Sequence, residues 1–310
     1  MVWLYILLGL AALIALAALV CFLITYYNPT RTEEGMAADR FPPGKAYEPY
    51  HPVLRQWAAQ VDRMQYMPME VTTPDGLTLR GKLYPLSPEA PVEILFHGYR
   101  GFSERDMCGA VQRCFAVGHS ALLVDQRAAG ISDGHVITFG VKESGDVPLW
   151  IDAVAQRFGA DHPVYLAGVS MGATTVLLAA GQPLPPQVKG VLADCGYSTA
   201  AAIIKKVMRH MHLPANLLYP LVRLGAMLYG GFDPNRADAT AAAARITVPT
   251  IFFHGDADDF VPHEMSQINY DACTAPKRLV ITPGAGHGLC FPADVDGYVA
   301  AVREFYDRYL

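Results

Sequence analysis

Residues 164–180 read Val-Tyr-Leu-Ala-Gly-Val-Ser-Met-Gly-Ala-Thr-Thr-Val-Leu-Leu-Ala-Ala, and this stretch decides the fold. Its centre is the pentapeptide Gly168-Val169-Ser170-Met171-Gly172. The apolar run before it is typical of a buried strand, and the run after it is typical of a helix packed on a sheet. A serine on such a sharp strand-to-helix turn is lifted clear of the sheet, and small flanking residues let the turn close. The pattern predicts that Ser170 is a nucleophile; an ordinary glycine-rich turn is the alternative.

Short apolar runs lie on both sides of this stretch, and most are separated by segments of helical length. They cover residues 92–96, 121–124, 188–193, 250–253 and 278–281. Before them, residues 69–84 alternate in polarity around Pro74-Asp75-Gly76 and predict a hairpin, and residues 293–310 predict a final amphipathic helix. This alternation predicts the α/β class, with a mostly parallel sheet covered by helices on both faces.

One segment interrupts the alternation. Residues 198–240 are rich in Ala, Leu, Met and Tyr and predict helices with wide apolar faces. An insertion at the carboxyl edge of the sheet would lie over the site, so we expect a helical cap; a plain crossover is the alternative. His210 and His212 are two residues apart and do not share a helical face, so no metal site is expected there.

The composition argues against several functional classes. The chain has 310 residues, of which 52% are hydrophobic and 17% charged, enough to bury a substantial core. The formal net charge is -5 and no basic run stands out, so nucleic-acid binding is not expected. The six cysteines form no C-x-x-C pair, which argues against a zinc knuckle or a dense disulfide framework.

The N-terminal segment predicts a membrane anchor. Residues 2–27 carry no charge, and as a helix they exceed the roughly 30 Å hydrocarbon core of a bilayer. Aromatic residues lie near both ends, as expected at the two interfaces. A cleaved signal peptide is the alternative, with Ala15, Ala17 and Ala18 offering a processing site. The long apolar run and the absence of a preceding Lys or Arg favour an uncleaved single-pass anchor.

These features divide the chain into three parts. We expect a transmembrane anchor over residues 1–27, a linker and short helix over 28–64, and a catalytic domain over 65–310 that includes the cap. The short helix is predicted over His51–Met64 from its apolar spacing. Basic residues follow the span (Arg31, Arg40 and Lys45), which argues weakly for a catalytic domain on the cytoplasmic side.

A nucleophilic serine needs a base to take its proton and an acid to orient that base. The segment after the strand at 250–253 contains three carboxylates, Asp256, Asp258 and Asp259. The segment after the strand at 278–281 delivers His287 between two glycines. Serine, acid and histidine therefore occur in the order known for α/β-hydrolases.

Five motifs occur in order over most of the chain. They are His97-Gly98, Asp125-x-Arg127-x-x-Gly130-x-Ser132-x-Gly134, Gly168-x-Ser170-x-Gly172, His254-Gly255-x-x-Asp258-x-x-Val261-Pro262 and Gly286-His287. With them, residues 69–310 resemble the α/β-hydrolase superfamily, in particular its Bem46-like and serine-aminopeptidase-like branch. The resemblance implies an eight-stranded sheet and selects Asp258 as the triad acid, leaving Asp256 and Asp259 as turn formers. It also implies an oxyanion hole formed by the backbone N–H groups of Tyr99 and Met171.

Other polar residues receive structural interpretations. The ring of His97 is expected to hold its own loop rather than act as a base, and Arg127 to hold loops at the sheet edge. Arg100 is either solvated or placed to bind a carboxylate of the substrate. Cys195 is a candidate nucleophile only if Ser170 is not one.

The sequence therefore predicts a serine hydrolase with the triad Ser170, Asp258 and His287, acting through an acyl-enzyme. We expect a carboxylesterase that takes a small-molecule or lipid-like ester and needs no metal or organic cofactor. A peptidase or amidase of the same fold is the alternative, since the resembled branch includes peptidases. A non-catalytic binding scaffold is a third reading, against which the complete set of three residues argues.

Overall fold

A computed structural model describes residues 1–29, 35–36, 41 and 44–309. Its eight strands form one sheet in the order β1-β2-β4-β3-β5-β6-β7-β8. The strands are β1 (Met67–Thr72), β2 (Thr78–Tyr84), β3 (Val92–Phe96), β4 (Ser120–Val124), β5 (Val164–Val169), β6 (Val188–Asp194), β7 (Thr250–Gly255) and β8 (Lys277–Thr282). β2 runs antiparallel to both of its neighbours, and every other pair is parallel. The predicted fold class is confirmed.

Helices connect the parallel strands and cover the sheet. The longer ones are α1 (Val2–Thr25), α2 (His51–Val61), α3 (Cys108–Ala116), α4 (Glu143–Phe158), α5 (Met171–Ala180), α6 (Ala200–His210), α7 (Ala215–Gly225), α8 (Glu264–Ala272) and α9 (Val295–Tyr309). Two boundaries differ from prediction: α2 ends at Val61 rather than Met64, and α9 begins at Val295 rather than 293.

The core has two layers, one on each face of the sheet. On one face the strands pack against α4 and α5, where Trp150 and Val176 are buried. On the other they pack against α2, α3 and α9, through side chains such as Trp57, Val111 and Phe305. β3 and β4 are buried along their whole length because both faces are covered, which explains their mostly apolar sequences. The exception in β3 is Glu93, whose buried carboxylate is paired with Arg113.

A third apolar cluster lies over the carboxyl edge of the sheet. It joins α6, α7 and the following π-helical turn Ala226–Gly230 to the end of α1, and residues such as Phe22 and Ile204 are buried in it. α1 is long and apolar enough to cross a membrane, a property that signal sequences share. Its last turns pack on the cap, whereas the sequence predicts an anchor that is separate from the catalytic domain.

Part of the predicted linker lies outside the described residues, including Arg31 and Arg40, on which the orientation argument depends. The division of the chain into anchor, linker and domain therefore stays a prediction. After α1 the chain continues as an extended segment. In this segment Tyr27 forms an isolated β-bridge with Val136, and Asn28 Nδ2 donates a hydrogen bond to Ala128 O at 2.6 Å. These contacts tie the exit of α1 to the loop after β4.

Candidate active site

Ser170 lies in the tight turn between β5 and α5, with φ 56° and ψ -117°. That backbone conformation is strained for a residue with a side chain. A Cβ on Gly172 would lie 1.9 Å from Phe96 O, and one on Gly168 would lie 2.2 Å from the backbone of Gly172. The two glycines are therefore required for β5, α5 and β3 to approach closely enough to form the turn.

The structure brings Ser170, His287 and Asp258 together at the carboxyl edge of the sheet. Ser170 Oγ lies 2.9 Å from Nε2 of His287, and Nδ1 of His287 lies 2.7 Å from Oδ2 of Asp258. Asp258 follows β7, and His287 follows β8, as the sequence order predicts. The three side chains form one continuous hydrogen-bonded chain.

The carboxylate of Asp258 is held from several directions. Its Oδ1 accepts hydrogen bonds from the N–H groups of Phe260 and Val261, at 2.9 and 2.8 Å. Burial by itself raises the pKa of this carboxyl, but the hydrogen bonds with His254 and His287 outweigh it and hold the pKa well below its ordinary value. Asp258 is therefore ionised at neutral pH and can orient a histidine.

The sequence assigns no role to His254, although this residue begins the motif that contains Asp258. Its ring is fully buried, with Nε2 3.2 Å from Asp258 Oδ2 and 2.8 Å from Val261 O, and Nδ1 2.6 Å from Ser266 Oγ. It therefore contacts the same carboxylate oxygen of Asp258 that His287 contacts, and helps to hold the acid in place. The sequence signal that could have identified this role is a histidine near the end of an apolar strand, four residues before the acid.

Asp256 and Asp259 do not join the chain of hydrogen bonds. Asp256 Oδ1 accepts from Gly284 N at 2.6 Å, which closes the turn that leads to His287. The backbone oxygen of Asp259 accepts from Lys206 of the cap. Both residues contact loops around the site rather than the histidine.

The loop after β3 is held next to the turn that carries Ser170. A Cβ on Gly98 would lie 3.5 Å from Cβ of Ser170. His97 holds this loop: its Nε2 accepts from Gln126 N at 3.1 Å, and Nδ1 lies 2.8 Å from Gly98 O. Tyr99 follows in this loop, and Met171 is the first residue of α5, so both candidate oxyanion donors flank the serine. Within the described part of the chain, neither of their backbone N–H groups has a hydrogen-bond acceptor.

Charged residues of the loop after β4 are buried and paired. Arg127 binds Asp146 with both Nε and Nη2, at 2.8 and 2.7 Å, and binds Asp75 with Nη1 at 2.9 Å. Asp125 accepts backbone N–H groups from Ser103 and Ile131 at 2.7 and 3.0 Å. These contacts fix the loops along the sheet edge, which is the role expected of the motif.

Arg100 makes a contact that neither of its two expected roles includes. Its Nη2 donates to the backbone oxygens of Ile24 and Tyr27, at 2.8 and 3.1 Å. Those carbonyls are at the C-terminal end of α1, where a cation also complements the helix dipole. Arg100 therefore links the loop after β3 to α1.

Two cavities meet at Ser170. The larger, of about 400 Å³, is apolar and lies between α1, α6 and α7. Its lining is Cys21, Ile24, Thr25, Tyr99, Arg100, Phe139, Ser170, Tyr197, Ile203, Ile204, Val207, Met208, Met211, Leu213, Leu218, Val222, Phe260 and Val261. The smaller, of about 210 Å³, lies on the other side of the serine and contacts Tyr47, Arg105, Asp106 and His287. The site thus has one apolar and one more polar compartment.

The described residues support neither Cys195 as a nucleophile nor a metal site separate from the triad. Cys195 is fully buried, and burial raises the pKa of its thiol well above the usual value. Within the described residues, the metal-binding side chains that cluster are Cys195, Asp258 and His287 themselves. His210 and His212 are both exposed on the cap and belong to no such cluster among the residues described.

Comparison with known proteins agrees with this architecture. A family model described as serine hydrolase (FSH1) matches residues 168–294, and one described as alpha/beta hydrolase fold matches residues 91–218. The uncharacterized protein YqkD of Bacillus subtilis is 26% identical over 193 residues, covering 62% of this chain and 63% of YqkD, which is less than two thirds of its length. The uncharacterized protein YfhR of Escherichia coli O157:H7 is 25% identical over 229 residues, covering 71% and 72%.

Solved structures show the same fold. The esterase Pf2001 of Pyrococcus furiosus superposes with a TM-score of 0.67 at 21% identity, covering 92% of this chain and 98% of the esterase. Est1E of Butyrivibrio proteoclasticus, solved with ferulic acid bound, has a TM-score of 0.58 at 23% identity, covering 78% and 98%. The chain therefore has the α/β-hydrolase fold, and its residues 168–294 are similar to the serine hydrolase (FSH1) family.

Proposed function

We propose that this protein is a membrane-anchored serine hydrolase that cleaves acyl esters, a carboxylesterase with the triad Ser170, His287 and Asp258. One observation carries the proposal: the unbroken hydrogen-bonded chain from Ser170 Oγ through the ring of His287 to Asp258, at 2.9 and 2.7 Å. The strained conformation of Ser170 supports it, since such strain concentrates at functional positions.

In the first half of the reaction, Ser170 Oγ attacks the carbonyl carbon of the ester. Nε2 of His287 takes the hydroxyl proton, while Nδ1–H donates to the ionised Asp258 and keeps the ring in the required tautomer. The proton on Nε2 then passes to the oxygen of the leaving alcohol as the C–O bond breaks. The acyl group stays on Ser170 as an ester.

In the second half, a water molecule gives a proton to Nε2 of His287 and attacks the acyl-enzyme. The acid product leaves, and the proton returns to Ser170 Oγ. In both halves the negative carbonyl oxygen accepts hydrogen bonds from the N–H groups of Tyr99 and Met171. A single donor of this kind contributes about 3 kcal/mol to lowering the barrier. The scheme uses no metal and no organic cofactor.

The substrate proposal depends on the apolar compartment. Its volume, about 400 Å³, falls in the range of small-molecule sites, and its lining beyond Ser170 offers few polar groups. An acyl chain fits such a lining, because its transfer out of water is favourable and needs no polar partner. The name of the structural neighbour Pf2001, an esterase, favours an ester over an amide.

We propose that α1 is retained as an anchor rather than removed as a signal peptide. Ala18 is buried, Phe22 and Tyr26 are buried in the third apolar cluster, and Tyr229 donates a hydrogen bond to Ala15 O at 2.9 Å. Cleavage near Ala15–Ala18 would cut the helix where it packs. We also propose that the chain belongs to the Bem46-like branch of the α/β-hydrolase superfamily.

The test is covalent labelling with a fluorophosphonate, which reacts with activated serines. The wild-type protein should label, Ser170→Ala should not, and Cys195→Ala should label like the wild type. No labelling of a folded wild type would favour the binding scaffold. Hydrolysis of p-nitrophenyl esters compared with aminoacyl amides then separates the esterase from the peptidase, and faster amide turnover would contradict the esterase.

A further inference from the structure

The end of α1 forms part of the wall of the apolar compartment. Cys21, Ile24 and Thr25 line it together with Ser170. The hydroxyl of Tyr99 donates to Thr25 O at 2.8 Å, and Arg100 donates to Ile24 O at 2.8 Å. The helix and the candidate oxyanion loop are thus joined directly, and the lining would be incomplete without α1.

α1 is also packed closely against the cap. A Cβ on Gly225 of α7 would lie 2.3 Å from Ala18 O, so the two helix backbones approach at this glycine. The rings of Phe22 and Tyr229 lie 5.9 Å apart. From Ala15 onward, therefore, α1 and the cap form one packed body.

This packing limits how much of α1 is free to cross a bilayer. Residues 2–14 are all exposed, whereas burial begins from Ala15 onward. Thirteen helical residues span roughly 20 Å, which is about 10 Å less than the hydrocarbon core of a typical bilayer. If α1 spans the membrane, the hydrocarbon must extend along its packed part and reach the cap.

The surface of the cap beside α1 suits that position. Leu217 is 73% exposed, and Leu228 and Met227 are 58% and 50% exposed. Residues 195–232 contain no Asp or Glu but include four Lys or Arg residues. One of the four, Arg223, is paired with Asp233 just beyond this segment, at 2.7 Å. Exposed apolar residues accompanied mainly by basic charge are typical of segments that lie in a membrane interface.

The apolar compartment opens on this same surface. Among its lining residues, Ile24, Met211, Leu213 and Phe260 are themselves exposed. Ile24 belongs to α1, and Met211 and Leu213 form the corner between α6 and α7. An opening bounded by these side chains would face hydrocarbon rather than water if the cap is immersed.

We propose that the exposed apolar surface formed by α1, Leu217, Met227 and Leu228 is seated in the lipid bilayer, and that acyl chains of membrane-resident esters enter the compartment laterally between Ile24 and the α6–α7 corner. The substrate class is thus a lipid ester taken directly from the bilayer. The catalytic part of this inference rests on the proposed function; the seating of the cap does not.

The first experiment tests whether the cap surface lies in the bilayer, and its readout does not depend on catalysis. The full chain carrying Leu217→Cys is labelled with a polarity-sensitive nitrobenzoxadiazole dye and reconstituted in phosphatidylcholine vesicles. Leu86→Cys is the matched control, because Leu86 is 45% exposed and follows β2, away from the cap. We expect a blue-shifted emission quenched by lipid-borne quenchers at position 217 and a water-like emission at 86. Water-like emission at both positions would overturn the proposal.

The second experiment measures the lateral entry. Leu217→Glu/Leu228→Glu places charge on the surface at two positions that do not line the compartment. We expect turnover of p-nitrophenyl palmitate in phosphatidylcholine vesicles to fall at least tenfold while turnover of water-soluble p-nitrophenyl acetate stays at the parent rate. Leu86→Glu should change neither. An equal loss of turnover on both esters, or a loss on neither, would overturn the lateral entry. If the protein shows no ester turnover and no fluorophosphonate labelling at all, the proposed function is contradicted instead.

Discussion

The triad region and the α1–cap region meet at Ser170, yet they are built in opposite ways. The first consists of buried polar side chains, each held by named hydrogen bonds, as Asp258 is by Phe260, Val261 and His287. The second consists of apolar side chains, of which Leu217 and Leu228 remain exposed. The difference teaches that, under the proposed function, the reaction depends on directional contacts and the choice of substrate on an apolar surface. Substitutions in the first should therefore act on rate, and those in the second on stability and chain-length preference.

The largest effect is expected for His287→Ala, which removes the proposed base. In comparable triads, loss of the histidine lowers kcat on the order of 10⁶-fold, because serine and base act as one unit. The measurement is steady-state hydrolysis of p-nitrophenyl butyrate. His263→Ala, at a histidine next to Glu264 rather than Ser170, is the control and should remain active. A loss below about tenfold at His287 would contradict its role and remove the contrast between the two regions.

Asp258→Asn is expected to have the next largest effect. The amide leaves the shape of the site intact but favours the wrong tautomer of His287, and the analogous change in a known triad lowers kcat about 10⁴-fold. Asp256→Asn is the matched control, since its side-chain oxygen can still accept from Gly284 N. Comparison of kcat for the two variants tests the choice between neighbouring carboxylates. Similar losses in both would mean that the acid has been misassigned.

The candidate triad residues could be named from the sequence because each lies in a local strand-end pattern, although the choice of Asp258 over Asp256 and Asp259 depended on the family resemblance. A strand, a tight turn and a helix around Ser170 require small residues at fixed positions, and strand-end loops deliver Asp258 and His287. His254 was not assigned, because its partner Ser266 lies on a helix whose position only the fold determines. The wall formed by Cys21 and Ile24 was not predictable either. Apolar periodicity says that a helix buries a face but does not say against what.

In the α1–cap region the largest effect is expected for Gly225→Ala. The added methyl would meet Ala18 O, on the backbone of α1, so the helices must separate at a cost of about 1–3 kcal/mol. Denaturant unfolding in detergent micelles measures the cost, and a chain-length series of esters shows whether the compartment widens. Gly145→Ala is the control, because a Cβ there meets nothing within 4 Å in α4. Equal stability of both variants would show that α1 is not packed as described.

The smallest effect is expected for Tyr229→Phe. This change removes the hydrogen bond to Ala15 O but keeps the ring that packs on Phe22. A single hydrogen bond contributes about 1 kcal/mol net, and less where water reaches the freed carbonyl, so the free energy of unfolding should fall by ~1 kcal/mol or less. Tyr66→Phe, at an exposed tyrosine beside Tyr84 and outside the cap, is the control. A cost at Tyr229 as large as that of Gly225→Ala would mean that α1 is held by this polar contact rather than by packing, and the two regions would then be less different than their composition indicates.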